Sequence, residues 1–401
     1  MDASIFDGLK VIDCASFIAA PAAATVLGDF GADVVKIEPP GIGDAYRHLP
    51  KLPGNPVSEH NYAWLLDSRN KRSVALDLAK PDGQAVVQRL ASTADVFVTN
   101  YPLRARGRLG IDYGTLAPLN DRLVYASFTG YGELGEEANK PGFDVTAWWA
   151  RSGLMDIVRT AALDAPVRPV PGMGDHPSAM TLFAAIVTAL YQRERTGRGA
   201  YVTSSLVANG LWANAYLAQA ALCGAVAIPR PPRVEALNAL TTYYRCRDGL
   251  WLILTLVNEE RHWPVLAKCM GREDLITDPR FATTADRHAY SGALVAVLDE
   301  IFATRDRDEW RTILHDNGII FEVVATADEI PVDQQLMVNR ILVPMEDDAM
   351  MTVDSPLAIR GADKVTPRRP PDLGEHTDEV LHDAGYDDDE IKELRAGGAV
   401  S

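Results

Sequence analysis

Several patterns that usually reveal an enzyme's chemistry are missing from this sequence. Its four cysteines are widely spaced and never form C-x-x-C, which indicates neither a disulfide framework nor a zinc site. The eight histidines show no H-x-x-H or H-E-x-x-H spacing, and no G-x-S-x-G or G-x-x-x-x-G-K-[ST] motif occurs. The sequence therefore gives no support for a metal site, a serine hydrolase or a P-loop NTPase.

Uninterrupted apolar runs and excess positive charge are also lacking. The longest charge-free run, 199–229, contains serine, asparagine and glutamine, so we interpret it as buried rather than membrane-spanning. The N-terminus MDASIFDGLK has no basic region followed by an apolar stretch, so we expect a cytoplasmic protein. A formal net charge of −16 argues against nucleic acid as a partner. Any anionic ligand must be held by a local basic patch, such as 69–72 or 104–108.

The length and the residue pattern indicate two domains. A chain of 401 residues exceeds the size at which a single core keeps growing. Strand-like runs such as LKVIDCA, ADVVKIE and DVFVTNY alternate with helical runs, which predicts an α/β domain with a doubly wound parallel sheet. The proline-rich stretch AIPRPPRVEALNA then precedes a hairpin-like segment and amphipathic helices, which predict a small α+β domain.

One motif suggests a dinucleotide cofactor. GYGELG, residues 130–135, fits G-x-G-x-x-G and follows an apolar strand. The motif works by placing a helix N-terminus against pyrophosphate, but here EEANKPG follows, with two carboxylates and a helix-breaking proline. We therefore expect neither a nicotinamide nor a flavin.

Asp175 stands just ahead of a long helical run in GMGDHPSAMTLFAAIVTALYQ. Because Pro177 suits a first helical turn, Asp175 or His176 is expected at the N-cap, where aspartate accepts backbone N–H groups. A carboxylate beside a helix N-terminus should stay ionised, with its pKa lowered if anything, and could equally act as a nucleophile. The residue pattern favours the cap and leaves the nucleophile open, and His176 is interpreted as a surface residue.

Stretches in order along nearly the whole chain resemble the class III CoA-transferases, the CaiB/BaiF group. This group includes formyl-CoA, carnitine and 2-hydroxyacyl CoA-transferases and the related 2-methylacyl-CoA racemases. The matching stretches are LKVIDCASFIAAPAAATVLGDFGADVVKIEPPGIGD, NKRSVALDL, KPDGQAVVQRLASTADVFVTNYPLRARGRLGIDYGTL, NDRLVYASFTGYGELG, NKPGFDVTAWWARSGLM, GDHPSAMTLFAAIVTALYQRERTGRGAYVTSSL, DPRFATTADR and PPDLGEHTDEVL.

The resemblance implies that Asp175 is the nucleophile. Its carboxylate would form a mixed anhydride with an acyl-CoA and then an enzyme–CoA thioester, so that CoA passes from an acyl-CoA donor to a small carboxylic acid. The alternative activity is racemisation. The racemases have a histidine where this chain has Phe143, which favours CoA transfer. Formyl-CoA transferases have a glutamine where this chain has Ile18, so larger organic acids or 2-hydroxy acids are favoured over formate and oxalate.

The resemblance also implies the ligand contacts and the architecture. Coenzyme A is the cofactor, bound as substrate and product without a metal, and its expected contacts are Asn100, Tyr101, Arg108 and Lys140, with Lys71 and Arg72 as supporters. The fold is α/β: a Rossmann-like large domain formed by 1–225 and the C-terminal segment 331–401, with a small α+β domain at 226–330. Family members form an interlocked homodimer. The positions of Tyr62, Trp64, Trp148 and Trp149 are left open between the acyl pocket and the core.

Overall fold

The chain divides into two compact units in a computed structural model that describes residues 4–161, 164–226, 228–346 and 350–401. The larger unit contains Met1–Met155, Arg168–Cys223 and Gln334–Ser401, and the smaller contains Asp156–Val167 and Gly224–Asp333. The segment 156–167, expected in the large domain, thus groups with the smaller unit. The first three residues of the N-terminal stretch and Ala227 of the proline-rich stretch lie outside the described residues.

Strands and helices alternate through the first part of the larger unit. The strands are β1 Lys10–Asp13, β2 Asp33–Glu38, β3 Lys71–Ala75, β4 Val96–Thr99, β5 Val124–Thr129, β6 Ala200–Ser205, β7 Tyr243–Arg245, β8 Trp251–Leu254, β9 Phe321–Val323, β10 Leu342–Pro344 and β11 Met351–Val353. The α-helices are α1 Ala19–Asp29, α2 Tyr62–Asp67, α3 Pro81–Ala91, α4 Leu103–Arg106, α5 Tyr113–Leu116, α6 Leu154–Ile157, α7 Asp175–Thr196, α8 Leu206–Ala213, α9 Ala215–Leu222, α10 Glu259–Cys269, α11 Asp274–Thr277, α12 Thr284–Ala289, α13 Ser291–Phe302, α14 Arg307–Asp316, α15 Gln334–Val338, α16 Thr377–Asp383 and α17 Asp388–Ala396. A 3₁₀ helix at Ala45–Lys51 and a π-helix at Asp144–Ala150 also contribute to the site described below.

The larger unit is built on a six-stranded parallel sheet in the order β3-β2-β1-β4-β5-β6. Strands β2, β4 and β5 are almost continuously buried, as expected for a parallel sheet covered by helices on both faces, whereas the edge strand β6 is partly exposed. This order is that of a Rossmann-type doubly wound sheet, which confirms the predicted fold class. Strands β2 and β3 are added on one side of β1, and β4 to β6 on the other. The carboxyl ends of β1 and β4, where this order switches, form the crevice where such sheets bind ligands.

The C-terminal segment belongs to the larger unit and covers one edge of its sheet. The backbone N–H of Asp77 donates to the carbonyl of Ala399 at 2.8 Å, and Leu76 forms an antiparallel bridge with Val400. Helix α16 packs beside β3, where its Val380 and Leu381 join the core between the sheet and α3. These contacts pair and cover an edge that would otherwise expose unpaired backbone groups.

The smaller unit contains an antiparallel sheet in the order β7-β8-β9. Strands β7 and β8 form the hairpin that the sequence predicts around the turn CRDGL. The sheet and helices α10, α13 and α14 enclose a core that includes Tyr244, Trp263, Phe302 and Trp310. The unit is therefore α+β, as expected. Within the described ranges, no helix meets the length and apolarity needed to span a membrane.

Candidate active site

Asp175 is the first residue of α7, a 22-residue helix. Buried side chains recur along it at Ser178, Leu182, Ile186 and Ala189, which is the spacing of one helical face. The N-cap position falls on Gly174, and no described residue donates a hydrogen bond to the Asp175 carboxylate. The expectation that Asp175 or His176 caps the helix is therefore wrong: the helix begins one residue earlier than a capping aspartate requires, and the carboxylate is left free.

The loop before Asp175 is held by the carboxylate of Asp144, at the start of the π-helix. Asp144 Oδ2 accepts the N–H groups of Gly172 at 3.0 Å and Gly174 at 3.4 Å. Gly172 has φ +86°, a conformation that favours glycine. A Cβ on Gly174 would lie 2.7 Å from Cγ of the buried Trp148. The two glycines are thus required for the backbone to pass between Asp144 and Trp148.

The environment of Asp175 shifts its protonation toward the neutral acid. Burial raises the pKa of Asp175 to about 7, the negative charges of Asp144 and Asp67 act in the same direction, and His176 opposes them. The sequence-based expectation of a lowered pKa is therefore wrong. It counted the helix N-terminus but not the burial of the carboxyl group, which has the largest effect, nor the charges of Asp144 and Asp67.

His176 joins a hydrogen-bonded group beside Asp175. Its Nε2 lies 3.1 Å from Asp67 Oδ1, and the Tyr46 hydroxyl donates to Asp67 Oδ2 at 2.5 Å. Burial acts to lower the pKa of His176, but the hydrogen bond to Asp67 and the charges of Asp67 and Asp175 outweigh it, and the pKa is raised. The interpretation of His176 as a plain surface residue missed this group. The spacing gives no signal for it, because Asp67 lies 109 residues away in the sequence.

Two adjoining cavities open at the carboxyl ends of β1 and β4. The first, called here the sheet-edge cavity, has a volume of about 470 Å³ and is lined by Ser16, Asn100, Tyr101 and Lys140 among others. The second, called the Asp175 cavity, has a volume of about 660 Å³ and contains Asp175 in its lining. Phe17, Asn100 and Phe143 line both cavities, and the rings of Phe17 and Phe143 meet edge to face at 5.3 Å.

The wall shared by the cavities rests on a buried cluster of charges. Asn100 donates to the carbonyl of Ser16 at 2.7 Å and accepts its N–H at 2.9 Å, which joins the ends of β4 and β1. Asp44 Oδ1 accepts from the Ser16 hydroxyl and from the N–H of Phe17, a residue held at φ +64°. The buried ammonium of Lys36 lies 2.9 Å from Asp44 Oδ2. This cluster, which the sequence analysis did not find, fixes the loop that follows β1.

The residues expected to contact CoA lie in different surroundings. Asn100, Tyr101 and Lys140 line the sheet-edge cavity, and Lys140 is also paired with Glu137 at 2.7 Å. Arg108 is exposed and lies outside the lining of both cavities.

Lys71 and Arg72, expected to support CoA binding, line neither cavity and have other partners. The ammonium of Lys71 is fully buried and contacts Asp13 at 2.9 Å together with two backbone carbonyls. The guanidinium of Arg72 is paired with Asp33, Glu379 and Asp383. Both cations are already paired with carboxylates of the protein. Lys71 thereby joins β3 to β1, and Arg72 joins β3 to β2 and α16.

The four aromatic residues left open by the sequence lie outside the lining of both cavities. Trp148 and Trp149 are buried, with ring centroids 5.1 Å apart. Trp64 is buried and donates to the carbonyl of Pro371 at 3.1 Å, whereas Tyr62 is exposed. Trp148 still influences the site, because its ring lies against Gly174.

Among the described residues, neither a helix opening directly after the G-x-G of GYGELG nor a metal site is found. Residues 133–143, which follow the G-x-G of GYGELG, form turns, bends and irregular chain, and the next helical segment begins at Asp144. No group of three or more histidine, cysteine, aspartate or glutamate side chains in the described chain is arranged to hold a metal ion.

Comparisons with known proteins agree with this geometry. The sequence profile described as "CoA-transferase family III" matches residues 6–377. This chain belongs to CoA-transferase family III. It is 32% identical over 397 residues to the cinnamoyl-CoA:phenyllactate CoA-transferase of Clostridium sporogenes, covering 98% of this chain and 96% of the relative. It is also 32% identical to the (R)-2-hydroxy-4-methylpentanoate CoA-transferase of Clostridioides difficile, covering 99% of each.

A solved structure of the same family has the same fold. A CaiB/BaiF family protein from Brucella suis superimposes with a TM-score of 0.86 at 27% identity, covering 96% of this chain and all of the other. This family III enzyme is therefore a CoA-transferase, with CoA as the group that it carries. The predicted family, fold class and general activity are confirmed.

Proposed function

We propose that this family III enzyme transfers CoA from an acyl-CoA to a carboxylic acid through a covalent intermediate on Asp175. The observation that carries the proposal is the Asp175 carboxylate itself, which lines a cavity at the ligand-binding edge of the sheet and accepts no hydrogen bond from the described residues. A carboxylate without such hydrogen bonds keeps its lone pairs for attack.

The proposed reaction exchanges two bonds in each half. An oxygen of Asp175 attacks the thioester carbonyl carbon, the C–S bond breaks, and a mixed anhydride and CoA thiolate form. The thiolate then attacks Cγ of Asp175, which releases the donor acid and leaves an enzyme thioester. The acceptor carboxylate reverses both steps: it attacks that thioester, and the released thiolate takes the acyl group and regenerates Asp175. Covalent catalysis thereby divides one difficult exchange into easier steps.

The sheet-edge cavity is proposed as the entry for CoA. Asn100 and Tyr101 are placed by the end of β4, and Lys140 supplies positive charge on an otherwise acidic protein. Arg108 is exposed and unpaired among the described residues, so its guanidinium is free to hold a phosphate of the nucleotide. The pantetheine chain would then pass Phe17 and Phe143 to reach Asp175.

The acid is proposed to carry an apolar side chain. Leu49, Leu52, Val145 and Leu206 contribute to the lining of the Asp175 cavity, whose described charged residues are Asp144, Asp175 and Arg168. Asp144 is already bound to the glycine loop, which leaves Arg168 to attract the carboxylate of the acid. The acids named for the two clostridial relatives, phenyllactate and 2-hydroxy-4-methylpentanoate, agree with such a cavity.

Racemisation of a 2-methylacyl-CoA is the less favoured activity. It requires two groups that exchange a proton at one carbon, and Phe143 stands where the racemases have a histidine. Phe143 lines both cavities and has no proton to give. A racemase would exchange the 2-proton of a 2-methylacyl-CoA in D₂O without an acceptor acid, whereas we expect no such exchange here.

The covalent intermediate can be trapped directly. The enzyme is mixed with cinnamoyl-CoA and then with hydroxylamine, which attacks acyl intermediates. We expect a hydroxamate on Asp175, located by mass spectrometry of the peptides, and parallel lines in a two-substrate plot with phenyllactate. Turnover without any modification of Asp175 would contradict the proposal. Succinyl-CoA with glutarate serves as the comparison pair for a polar acid.

We further propose that two copies of the chain form a homodimer through the face of α8 and α9. Trp212, Tyr216 and Leu222 are exposed there, and no residue of α9 is buried within the single chain. Exposed apolar patches of this kind mark interaction sites. We expect sedimentation at twice the 43.6 kDa of one chain, and a shift toward the monomer for Trp212→Asp with Tyr216→Asp. Tyr290→Asp, at an exposed aromatic residue of the smaller unit, is the control.

A further inference from the structure

The carboxylate of Asp67, at the end of α2, is buried beside His176. Its side chain is only 4% exposed, and it accepts hydrogen bonds from the Tyr46 hydroxyl and from His176 Nε2. Lys71 and Arg69 interact with Asp67 by charge, but Lys71 is paired with Asp13 and Arg69 with Asp29, and neither donates a hydrogen bond to the Asp67 carboxylate. A buried carboxylate without a compensating cation is costly, and among its described hydrogen-bond partners the imidazole of His176 is the group that can gain a proton.

The charges around Asp175 are otherwise unfavourable for an ionised nucleophile. Asp144 on the π-helix and Asp67 on α2 are negative, the Tyr46 hydroxyl on the 3₁₀ helix is neutral, and Arg168 in the preceding loop is exposed to solvent screening. His176, next in the chain, lies against Gly172: a Cβ on that glycine would be 3.0 Å from two atoms of the imidazole ring. The ring is thus fixed between Asp67 and the glycine loop.

We propose that His176 is a positioning residue whose imidazolium, stabilised by Asp67, keeps the carboxylate of Asp175 ionised for attack on the thioester. The inference rests on Asp175 being the nucleophile. His176 does not line the Asp175 cavity, so it acts through the charge of its neighbour rather than by touching the substrate. The two groups titrate as a coupled pair, in which protonated His176 favours ionised Asp175.

The variant His176→Gln separates charge from hydrogen bonding, because a glutamine amide can still donate to Asp67 but stays neutral. The rate of thioester formation from cinnamoyl-CoA is measured in single turnovers between about pH 5.5 and 9. In the wild type we expect the rate to rise with pH through the pKa of Asp175, which is about 7. In the variant this acidic limb should move upward by about one pH unit, with an approximately tenfold lower rate at pH 6 and recovery at high pH.

Two further variants distinguish charge from structure. His176→Arg retains a positive charge and should return the limb toward its wild-type position. His288→Gln is the matched control, since His288 is also half-exposed and pairs with a buried carboxylate, Glu259, at 2.7 Å in the smaller unit. Its limb should stay unchanged. Should His176→Gln not fold, the smaller His176→Asn is measured in the same way.

The outcomes separate this inference from the proposed function. Absence of the thioester in the wild type would remove the nucleophile and the inference together. A wild-type thioester whose acidic limb is unmoved in His176→Gln, or moved equally in His288→Gln, would overturn the role of His176 alone and leave Asp175 as the nucleophile.

Discussion

Replacing Asp175 with asparagine should lower CoA transfer by about a thousandfold or more, because the amide cannot form the anhydride or the thioester. The same variant should melt at a higher temperature than the wild type at pH 8. The folded pKa of Asp175, about 7, lies above the unfolded value of about 3.9, so ionisation costs stability progressively between these values and fully above them. The neutral amide removes that cost. Initial rates and thermal melts at pH 5 and pH 8 measure both effects.

Asp112→Asn is the matched control for this variant. Asp112 is a true N-cap, whose side chain accepts the N–H of Thr115 at 3.2 Å, and asparagine caps about equally well. We expect transfer and melting temperature to remain near the wild-type values. If Asp175→Asn behaved like this control, Asp175 would be a structural residue and the nucleophile would lie elsewhere.

Replacing Gly174 with alanine should reduce transfer by about a hundredfold while the protein remains folded. Its φ of −96° suits any residue, so the effect comes from the added Cβ, which would lie 2.7 Å from the ring of Trp148. Because Trp148 is buried, the loop or the ring must move, and displacement of the proposed nucleophile Asp175 by about 1 Å costs roughly that factor. Steric strain of this kind lowers the free energy of unfolding by about 1–3 kcal/mol.

Gly197→Ala tests the other end of the same helix. Gly197 has φ +73°, and a Cβ there would meet nothing within 4 Å. The strained backbone should cost about 1 kcal/mol of stability without any loss of transfer. Comparison of the two alanine variants by denaturant unfolding and by initial rate separates a local steric effect at Asp175 from a general weakening of α7. Equal rates in both variants would contradict the fit of Gly174 against Trp148.

The sequence predicts the fold well because its signals are local. Alternating runs such as LKVIDCA and ADVVKIE gave the parallel sheet, and the ordered resemblance identified the family and directed attention to Asp175. The predicted start of α7 differs from the observed one by a residue, because both glycine and aspartate are acceptable N-cap residues. No local pattern distinguishes the two.

The errors at the site have a common physical cause. Burial and the charges of Asp144 and Asp67 raise the pKa of Asp175, Asp13 pairs with the buried Lys71, and Asp67 is the partner of His176. All three environments depend on residues distant in the sequence. Lys71 is the first residue of β3, and a cation in such a strand is buried on a face that helices cover and exposed on a face open to solvent. NKRS alone does not distinguish these. Electrostatic environment therefore had to be obtained from the three-dimensional structure.

The charge cluster beneath the loop after β1 implies an unequal response to ionic strength. Lys36 and Asp44 are shielded from water, and dissolved ions screen buried pairs much less than exposed ones. Lys140 is exposed and partly paired with Glu137. Concentrated salt should thus weaken the capture of a polyanionic substrate while it leaves the geometry around Phe17 intact. Saline conditions should therefore raise the KM for the acyl-CoA and leave kcat nearly unchanged.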